Sequence, residues 1–581
     1  MQDRRTFLSG AARVAGGLAM SSGSVAAQAA KAPRRPNIIL IMADDMGYSD
    51  IGCFGGEIDT PNIDRLAAGG LRFSQYYNAP RCCPSRASLL TGLYPHQANM
   101  AMMTVDHGRY PAALTAYDCD LNKDAVTIAE MLKGAGYTTM MSGKWHITPF
   151  QETALGEKVD DKSNWPVNRG FDKFYGFIGG VSDYFTPAYV FRGDQQIEEK
   201  DPNFYLTDGI TDNAVDMLKD AGKAGKPFFL YAAYNAPHWP LQAPEQTVAK
   251  YRGRYALGWD ALREQRHAKQ LKMQLLSSAW SMGPRDPRVP GWDRASFKAW
   301  EIERMAVYAA QVDIMDQGIG RIVAQLEKMG QLDNTLIFFM SDNGGNYEET
   351  DEVKPGAKRE IWMPERTKTG APVIAGNDPK IMPGPATTFQ SYGGPWANLS
   401  NTPFRLYKHF AHEGGISVPL VAHWPNGIAA RGAITHQVSH EIDILKTCLD
   451  VSGAEFPKQA VSGKAPIPPE GRSLRPVFSG GRVDDRGMLF WEHEGNCAVR
   501  DGQWKLVSAY PNTWELYDME ADRTELHDLS AAQPQVVVRL AQAYRDWAAR
   551  VGAQPWPLPQ TPAGQQGGQL PLPKYLKADR T

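Results

Sequence analysis

The sequence is short of cysteine, nearly neutral, and free of long runs of any one kind. Its 581 residues hold six cysteines, Cys53, Cys82, Cys83, Cys119, Cys448 and Cys497. That is too few for disulfides to scaffold a chain of this size. They form no Cys-x-x-Cys pair and no zinc-finger spacing, and Cys82 and Cys83 are adjacent, a poor place for a structural disulfide. The formal net charge is −2 and no long basic run occurs, so nothing calls for a nucleic-acid partner. After residue 30 there is no stretch of about 18 apolar residues, so no stable membrane insertion is expected. Internal repeats are absent too, which sets aside solenoids and propellers.

The first thirty residues stand apart from the rest. Arg4-Arg5-Thr6-Phe7-Leu8 leads into a mildly apolar Ala- and Gly-rich stretch and then Val25-Ala26-Ala27-Gln28-Ala29. This reads as a twin-arginine export signal over residues 1–29, cleaved near Ala27 or Ala29. A periplasmic or secreted location follows, with the twin-arginine export machinery as a partner. Proteins exported by such signals leave the cytoplasm already folded, so a cytoplasmic modification can precede export.

Four segments repeat one theme, an apolar run that ends in a polar loop. Ile38 to Met42 runs into Asp44-Asp45, and Tyr137 to Met141 into Gly143-Lys144-Trp145-His146. Phe228 to Tyr234 runs into Asn235-Ala236-Pro237-His238, and Thr335 to Met340 into Ser341-Asp342-Asn343-Gly344-Gly345. Short continuous apolar runs followed by turn residues predict buried strands of a parallel sheet. Helical patterns lie between them, from Pro61 to the Gly69-Gly70 stop, from Val126 to Lys133, from Asp208 to Lys219 and from Arg304 to Lys328. The alternation predicts a doubly wound, mostly parallel α/β sheet with helices on both faces, over residues 36–458. Ligands of such sheets bind outside the carboxyl ends of the strands, which puts all four polar clusters on one edge. Residues 459–485 read as a Pro-, Gly- and Ser-rich linker. Short aromatic strands and a helix from Pro534 to Val551 make a small antiparallel-sheet subdomain over 486–552, and a Pro/Gln/Gly-rich tail fills 553–581.

Asp44, Asp45, Asp342 and Asn343 supply three carboxylates and an amide oxygen from two strand ends. Asp-Asp and Asp-Asn-Gly are also ordinary turn formers. Both pairs on one sheet edge favour a hard cation, calcium or magnesium, because converging carboxylates repel without one. Pro84 begins a helix that leaves Cys82 at its N-terminus, where the dipole favours an anion. On residue chemistry alone Cys82 is a low-pKa thiolate nucleophile. His436 and His440 are four apart but no third ligand is evident, and His412-Glu413-Gly414-Gly415 is not the His-Glu-x-x-His of a zinc protease. Glu492 and His493 are placed at the rim of the pocket, and the stretch from Leu241 to Trp300 is a candidate for shaping it.

Cys82-Cys83-Pro84-Ser85-Arg86, with Leu90-Thr91-Gly92 behind it, resembles the signature of the sulfatase family, in the alkaline phosphatase superfamily. Asn37 to Asp45 resembles that family's opening strand. Gly143-Lys144-Trp145-His146, Pro237-His238, Ser341 to Gly344 and Lys408 to Gly415 resemble its later blocks in order, so most of the mature chain is covered. Leu93 departs from the Arg many members carry, at a variable position. Cys83 fills the variable place of the signature, and the spacing to Pro84 and Arg86 selects Cys82 for modification. The resemblance implies an arylsulfatase-type sulfuric ester hydrolase acting on a small-molecule or saccharide sulfate ester. It implies that a maturation enzyme oxidises Cys82 to formylglycine, and that Asp44, Asp45, Asp342, Asn343 and formylglycine 82 hold one calcium ion. It assigns nucleophile activation to Arg86 with the calcium, and the sulfuryl oxygens to Lys144, His238 and Lys408. It leaves protonation of the leaving oxygen to His238 or Lys408, and gives His146 the proton of the second hydroxyl. The same residues would serve a formylglycine-dependent phosphonate or phosphate mono- or diester hydrolase of the same fold. A non-catalytic calcium-binding protein and a cysteine hydrolase are more distant alternatives.

Overall fold

A computed structural model describes residues 35–152, 158–353, 358–484 and 486–561. The export signal expected over residues 1–29 and the tail from residue 562 onward lie outside them. In chain order the central sheet takes β1 (Asn37–Ala43), β2 (Leu71–Tyr77), β3 (Thr138–Lys144), β4 (Lys173–Phe177), β5 (Val190–Arg192) and β6 (Gln195–Ile197). It continues with β7 (Phe228–Ala233), β8 (Thr335–Ser341), β9 (Ser417–His423), β10 (Ala433–Thr435) and β11 (Ser439–His440). Across the sheet the order is β10-β2-β9-β8-β1-β7-β3-β4-β5-β6, with β11 also paired to β2.

The five strands β8, β1, β7, β3 and β4 run parallel. Antiparallel pairs β8–β9, β9–β2, β4–β5 and β5–β6 extend the sheet on both sides. The register aligns the strand ends: Ala43 faces Ser341, Met42 faces Ala233, and Ala233 faces Gly143. The four polar loops expected to share an edge therefore do so, and they emerge from four neighbouring strands. Gly143 permits one close approach within this edge. Its φ is +121°, and a Cβ there would lie 1.8 Å from the Ala233 carbonyl oxygen.

Alternation along β1 explains the two helical layers. Ile39 and Ile41 face one layer with α1 (Pro61–Ala68), α4 (Leu206–Ala224) and the long α6 (Lys298–Lys328). Ile38, Leu40 and Met42 face the other, with α2 (Cys82–Thr91), α3 (Ile128–Gly134) and α7 (Asp443–Ser452). Successive strand side chains point to opposite faces, so a continuous apolar run is needed when both faces are covered. Each fully buried Ile or Leu contributes about 1.5–3 kcal/mol relative to an exposed one. Helix starts follow local chemistry. The Thr127 hydroxyl accepts from the Glu130 amide, and the Glu130 carboxylate accepts from the Thr127 amide, a capping box that begins α3. Between these helices α5 (Gly258–Lys272) lies in the long stretch from Leu241 to Trp300. Its Arg266 is buried against Asp50 at 2.7 Å and Glu57 at 2.7 Å, so it buttresses the loop after β1.

Beyond the main sheet, β12 (Leu489–His493), β13 (Asn496–Asp501), β14 (Trp504–Ser508) and β15 (Glu515–Asp518) form an antiparallel sheet in sequence order. Helix α8 (Pro534–Val551) packs Leu540 on Val499, Leu506 and Leu516. A buried ion cluster joins this sheet to the chain before β9. Lys505 lies 2.8 Å from both Glu413 and Glu525, and Arg523 lies 3.1 Å from Glu413. Glu413 immediately precedes Gly414-Gly415, so the cluster fixes the loop that carries Lys408. Among the described residues no helix is long and apolar enough to cross a membrane.

Candidate active site

The residues marked by the sequence for catalysis or for the metal are all buried and meet at the carboxyl edge of the sheet. Asp44 and Asp45 follow β1, Lys144 ends β3, His146 lies two residues on, His238 follows β7, and Asp342 and Asn343 follow β8. Cys82 is the first residue of α2, with Arg81 as N-cap. Lys408 comes from the loop before β9. That loop is held against the loop after β8, with the Gly344 amide donating to the Gly415 carbonyl at 3.0 Å and the Lys408 amide to the Gly345 carbonyl at 3.2 Å. Gly344 is required by this approach, since a Cβ there would lie 1.9 Å from the Gly414 carbonyl oxygen.

The charges interlock. Lys144 Nζ donates to Asp44 Oδ2 at 2.6 Å, and Lys408 Nζ donates to Asp45 Oδ2 at 2.8 Å. Arg86 Nε and Nη2 donate to Asp342 Oδ2 at 3.1 and 2.8 Å, and Nη1 donates to the Lys144 carbonyl at 3.1 Å. His238 donates from Nδ1 to the Trp239 carbonyl at 2.7 Å, which turns Nε2 toward Asp45 Oδ2 at 3.3 Å. Asn343 Nδ2 donates to Asp45 Oδ1 at 2.7 Å. Asp45 and His146 have φ of +64° and +58°, left-handed backbone that residues other than Gly adopt seldom, and often at functional sites.

Two oxygens in this cluster have no hydrogen-bond partner although they are buried, Asp44 Oδ1 and Asn343 Oδ1. Burial, with the facing Asp44 carboxylate, pushes the Asp342 carboxyl up to about 8. Burial also raises Asp44, against the pull of Lys144 and Arg86. Burial acts the same way on Asp45, but Lys408 and His238 hold it below the usual carboxylate range. An orphaned amide oxygen, an orphaned carboxylate oxygen and crowded negative charge together fit a hard divalent cation.

Cys82 sits under the cations. The neighbouring Cys83 thiol and, against burial, Lys144, Lys408 and His146 draw its thiol well below the ordinary range. Burial pushes Cys83 the other way. His146 reaches both cysteines, with ligand atoms of all three within 4.8 Å of one another. Its Nε2 lies 3.1 Å from Cys83 Sγ, and its Nδ1 is buried without a partner. Burial lowers His146 and His238 to about 4. Carboxylates of Asp45 and Glu348 hold Lys408 above its usual value although burial opposes this.

Several neighbours carried no expectation from sequence. Asn346 Nδ2 donates to Asp45 Oδ2 at 2.8 Å. Glu348 Oε1 accepts from Arg81 Nη1 at 2.7 Å, and its Oε2 lies 4.0 Å from Lys408 Nζ. Asn346 was within reach of sequence reasoning, three residues past Asn343 in the same Gly-rich turn. Glu348 carries no signal, since an acidic residue in a polar loop reads as solvated. His436 and His440 lie beside or in the short strands β10 and β11 and not on a helix. Among the described residues no metal-competent cluster contains them. Glu492 pairs with His96 at 2.7 Å, while His493 is fully buried nearby.

The comparisons with known proteins agree with this geometry. A family model described as "Sulfatase" matches residues 36–454, and one described as "N-sulphoglucosamine sulphohydrolase, C-terminal" matches residues 404–546. An uncharacterized sulfatase of Schizosaccharomyces pombe is 32% identical over 89% of this chain and 94% of its own length. An arylsulfatase of Klebsiella aerogenes is 32% identical over 79% of this chain and 94% of its own, and the human N-acetylgalactosamine-6-sulfatase is 28% identical over 85% and 76%. Among solved structures, Ps i-CgsB in complex with k-i-k-neocarrahexaose superposes with a TM-score of 0.62 at 26% identity, covering 94% of this chain and 100% of that one. The fold, the ordered motifs and these matches agree: the chain is an enzyme of the sulfatase family.

Proposed function

We propose that the protein hydrolyses sulfate monoesters to an alcohol and inorganic sulfate, arylsulfatase-fashion, with Cys82 carried as formylglycine and one calcium ion in its site. The observation that carries this reading is the convergence of Arg86, Lys144, His238 and Lys408 with four oxygen ligands around one buried residue, Cys82. Asp44, Asp45, Asp342 and Asn343 would hold the calcium, which supplies Lewis-acid charge to the nucleophile and to a sulfate oxygen. With Cys82 carried as formylglycine, the hydrated side chain would supply two hydroxyls where the thiol now stands, one for attack on sulfur and one whose proton must be removed for sulfate to leave.

The chain's own residues do the rest. Lys144, His238 and Lys408 bind the sulfuryl oxygens and offset the charge that grows there. Arg86 is locked by Asp342 and the Lys144 carbonyl, so its positive charge stays beside the nucleophile without reorganising. His238 or Lys408 delivers the proton to the leaving oxygen. His146 takes the proton of the second hydroxyl, a role supported by its place within reach of both cysteines and by the burial that keeps its ring neutral and able to accept. The maturation enzyme that oxidises Cys82 acts before export through the Arg4-Arg5 signal. Replacing both with Lys is expected to leave the precursor in the cytoplasm on fractionation, and unchanged periplasmic activity would argue for another route.

The competing chemistry is phosphoryl or phosphonyl transfer in the same site. Kinetics on 4-nitrophenyl sulfate, bis(4-nitrophenyl) phosphate and 4-nitrophenyl phenylphosphonate separate the two. The sulfate ester is expected to have the highest kcat/KM by at least about tenfold, a difference of roughly 1.4 kcal/mol in transition-state stabilisation. A phosphodiester or phosphonate turned over faster would reverse the assignment. On substrate class, one relative is named for an N-acetylgalactosamine sulfate, and a structural neighbour holds an oligosaccharide. Both support a saccharide sulfate.

A further inference from the structure

We propose that His493, Glu494 and His409, together with the Arg81–Glu348 pair, recognise hydroxyl groups of the leaving alcohol. The preferred substrate is then a sulfated polyol such as a sugar and not a bare aryl or alkyl sulfate. This rests on the sulfate-ester reading and adds to it the part of the substrate beyond sulfur.

Exposure separates a closed centre from a partly open rim. Side chains that face the sulfuryl group are closed off, Lys408 at 2% and Lys144 at 0%. Immediately outward stand Arg81 and Glu348, at 17% and 27%, joined at 2.7 Å. Arg81 precedes Cys82, and Glu348 Oε2 accepts from the Trp239 indole at 3.4 Å. The His409 amide donates to the Pro80 carbonyl at 2.6 Å, which ties it to the same segment. Beside this pair, and about as closed, lie His409 at 14% and Glu494 at 17%, with His409 Nε2 3.0 Å from Glu494 Oε2. These four side chains form a partly exposed rim on the Lys408 side of the closed site, where we place the leaving alcohol.

His493 supplies the second and independent observation. Its Nδ1 lies 3.1 Å from the Ala101 carbonyl, so Nδ1 carries the proton and Nε2 is left with a lone pair. That Nε2 is fully buried and has no hydrogen-bond partner. It faces the Glu494 carboxylate at 4.0 Å and the edge of the His409 ring, with ring centroids 5.3 Å apart. A buried acceptor opposite another acceptor is unfavourable until a donor comes between them. A hydroxyl meets that need and can in turn accept from Arg81, whereas an aryl ring would seal the lone pair away unpaired. Both His409 and Glu494 are held at positive φ, +87° and +49°, strained backbone of the kind that clusters at ligand clamps.

The test measures kcat/KM on 4-nitrophenyl sulfate, on monosulfated galactose, glucose and N-acetylglucosamine, and on deoxy analogues of the sugar sulfate turned over fastest. Wild-type enzyme is expected to prefer a sugar sulfate. In His493→Ala and Glu494→Gln the ratio of sugar-sulfate to 4-nitrophenyl sulfate kcat/KM is expected to fall about ten- to a hundredfold. The variants should no longer distinguish the sugar sulfate from the deoxy analogue that lacks the recognised hydroxyl. Glu494→Gln keeps the side-chain shape at a partly exposed position and carries the test if His493→Ala does not fold. An unchanged ratio, or a wild type that shows no preference for any sugar sulfate over 4-nitrophenyl sulfate, overturns the proposal while leaving sulfate-ester hydrolysis intact. Tight zinc binding to the calcium-loaded protein that His493→Ala removes would overturn it too, by assigning the cluster to a metal. If 4-nitrophenyl sulfate is itself not hydrolysed, the underlying reading fails first.

Discussion

Asp342→Ala is expected to lose bound calcium and to lower kcat/KM by at least about a hundredfold. The substitution removes one oxygen of the cation site and leaves Asp44 and Asp45 facing each other. It also takes away the nearer carboxylate of Arg86, a guanidinium with no exposure to solvent, and leaves it Asp44 at 3.6 Å and the Lys144 carbonyl. Removing one partner of a buried ion pair costs up to about 3–5 kcal/mol, less where a second carboxylate remains, so a lower Tm should accompany the loss of metal. Asp342→Asn separates the two effects. It keeps an acceptor oxygen for Arg86 and removes one negative charge from the metal side, so folding should recover more than calcium content does. Metal analysis of purified protein, with a thermal melt of the same samples, reads both. A variant with full calcium and full rate would show that the carboxylate cluster serves some other purpose.

Cys82→Ser, expressed where serine is not oxidised, is expected to release at most one alcohol per active site and then stop. Serine puts one hydroxyl beside the calcium site and Arg86, close to where the formylglycine hydroxyl would be, so attack on sulfur remains open to it. There is no second hydroxyl for His146 to deprotonate. Release of sulfate through an aldehyde is then closed, and covalent sulfate should remain on the peptide that contains residue 82. Steady turnover falls by several orders of magnitude, since a stable covalent ester replaces the catalytic cycle. A plain alcohol is less acidic than a hydrate, so the single turnover can itself be slow. Stopped-flow release of 4-nitrophenol and mass spectrometry of the peptide are the readouts. Sustained turnover at the wild-type rate by a confirmed unmodified serine enzyme would contradict the two-hydroxyl mechanism.

What the sequence displayed, it displayed through period and punctuation. β1, β7 and β8 are apolar on both faces because helices cover both, and each run gives way to its polar loop, whereas β3 is apolar only at Met140 and Met141 and continues through Ser142 and Gly143 to Lys144. The helix from Pro534 to Val551 has the bounds expected of it, since Pro at the first position and Gly552 behind it mark both ends. The strands β2 and β9 went unseen. Pro419 interrupts the apolar run of β9, and the pairing with β2 shifts register between Val418 and Leu420, around that proline. A proline in a central strand argues against the assignment on sequence alone, and a bulge is how the sheet accommodates it.

The candidate site was legible for a related reason. Strands set side by side in a parallel sheet deliver their loops to one edge, so linear order was enough to place Asp44, Lys144, His238 and Asp342 together. Arg81, Glu348, His409 and Glu494 are brought in by loop geometry and by the Glu413–Lys505–Glu525 ion cluster between the two sheets. No periodicity encodes such contacts between loops distant in sequence.

The central claim turns on the chemistry of one residue, and mass spectrometry of the tryptic or proteolytic peptide spanning residue 82 tests it most directly. Enzyme active on 4-nitrophenyl sulfate should carry an aldehyde at residue 82, trapped by a hydrazide reagent, with the Cys83 thiol intact. The fraction of aldehyde should rise and fall with specific activity across preparations made with and without a maturation enzyme. Fully active protein whose residue 82 is entirely thiol would contradict the account.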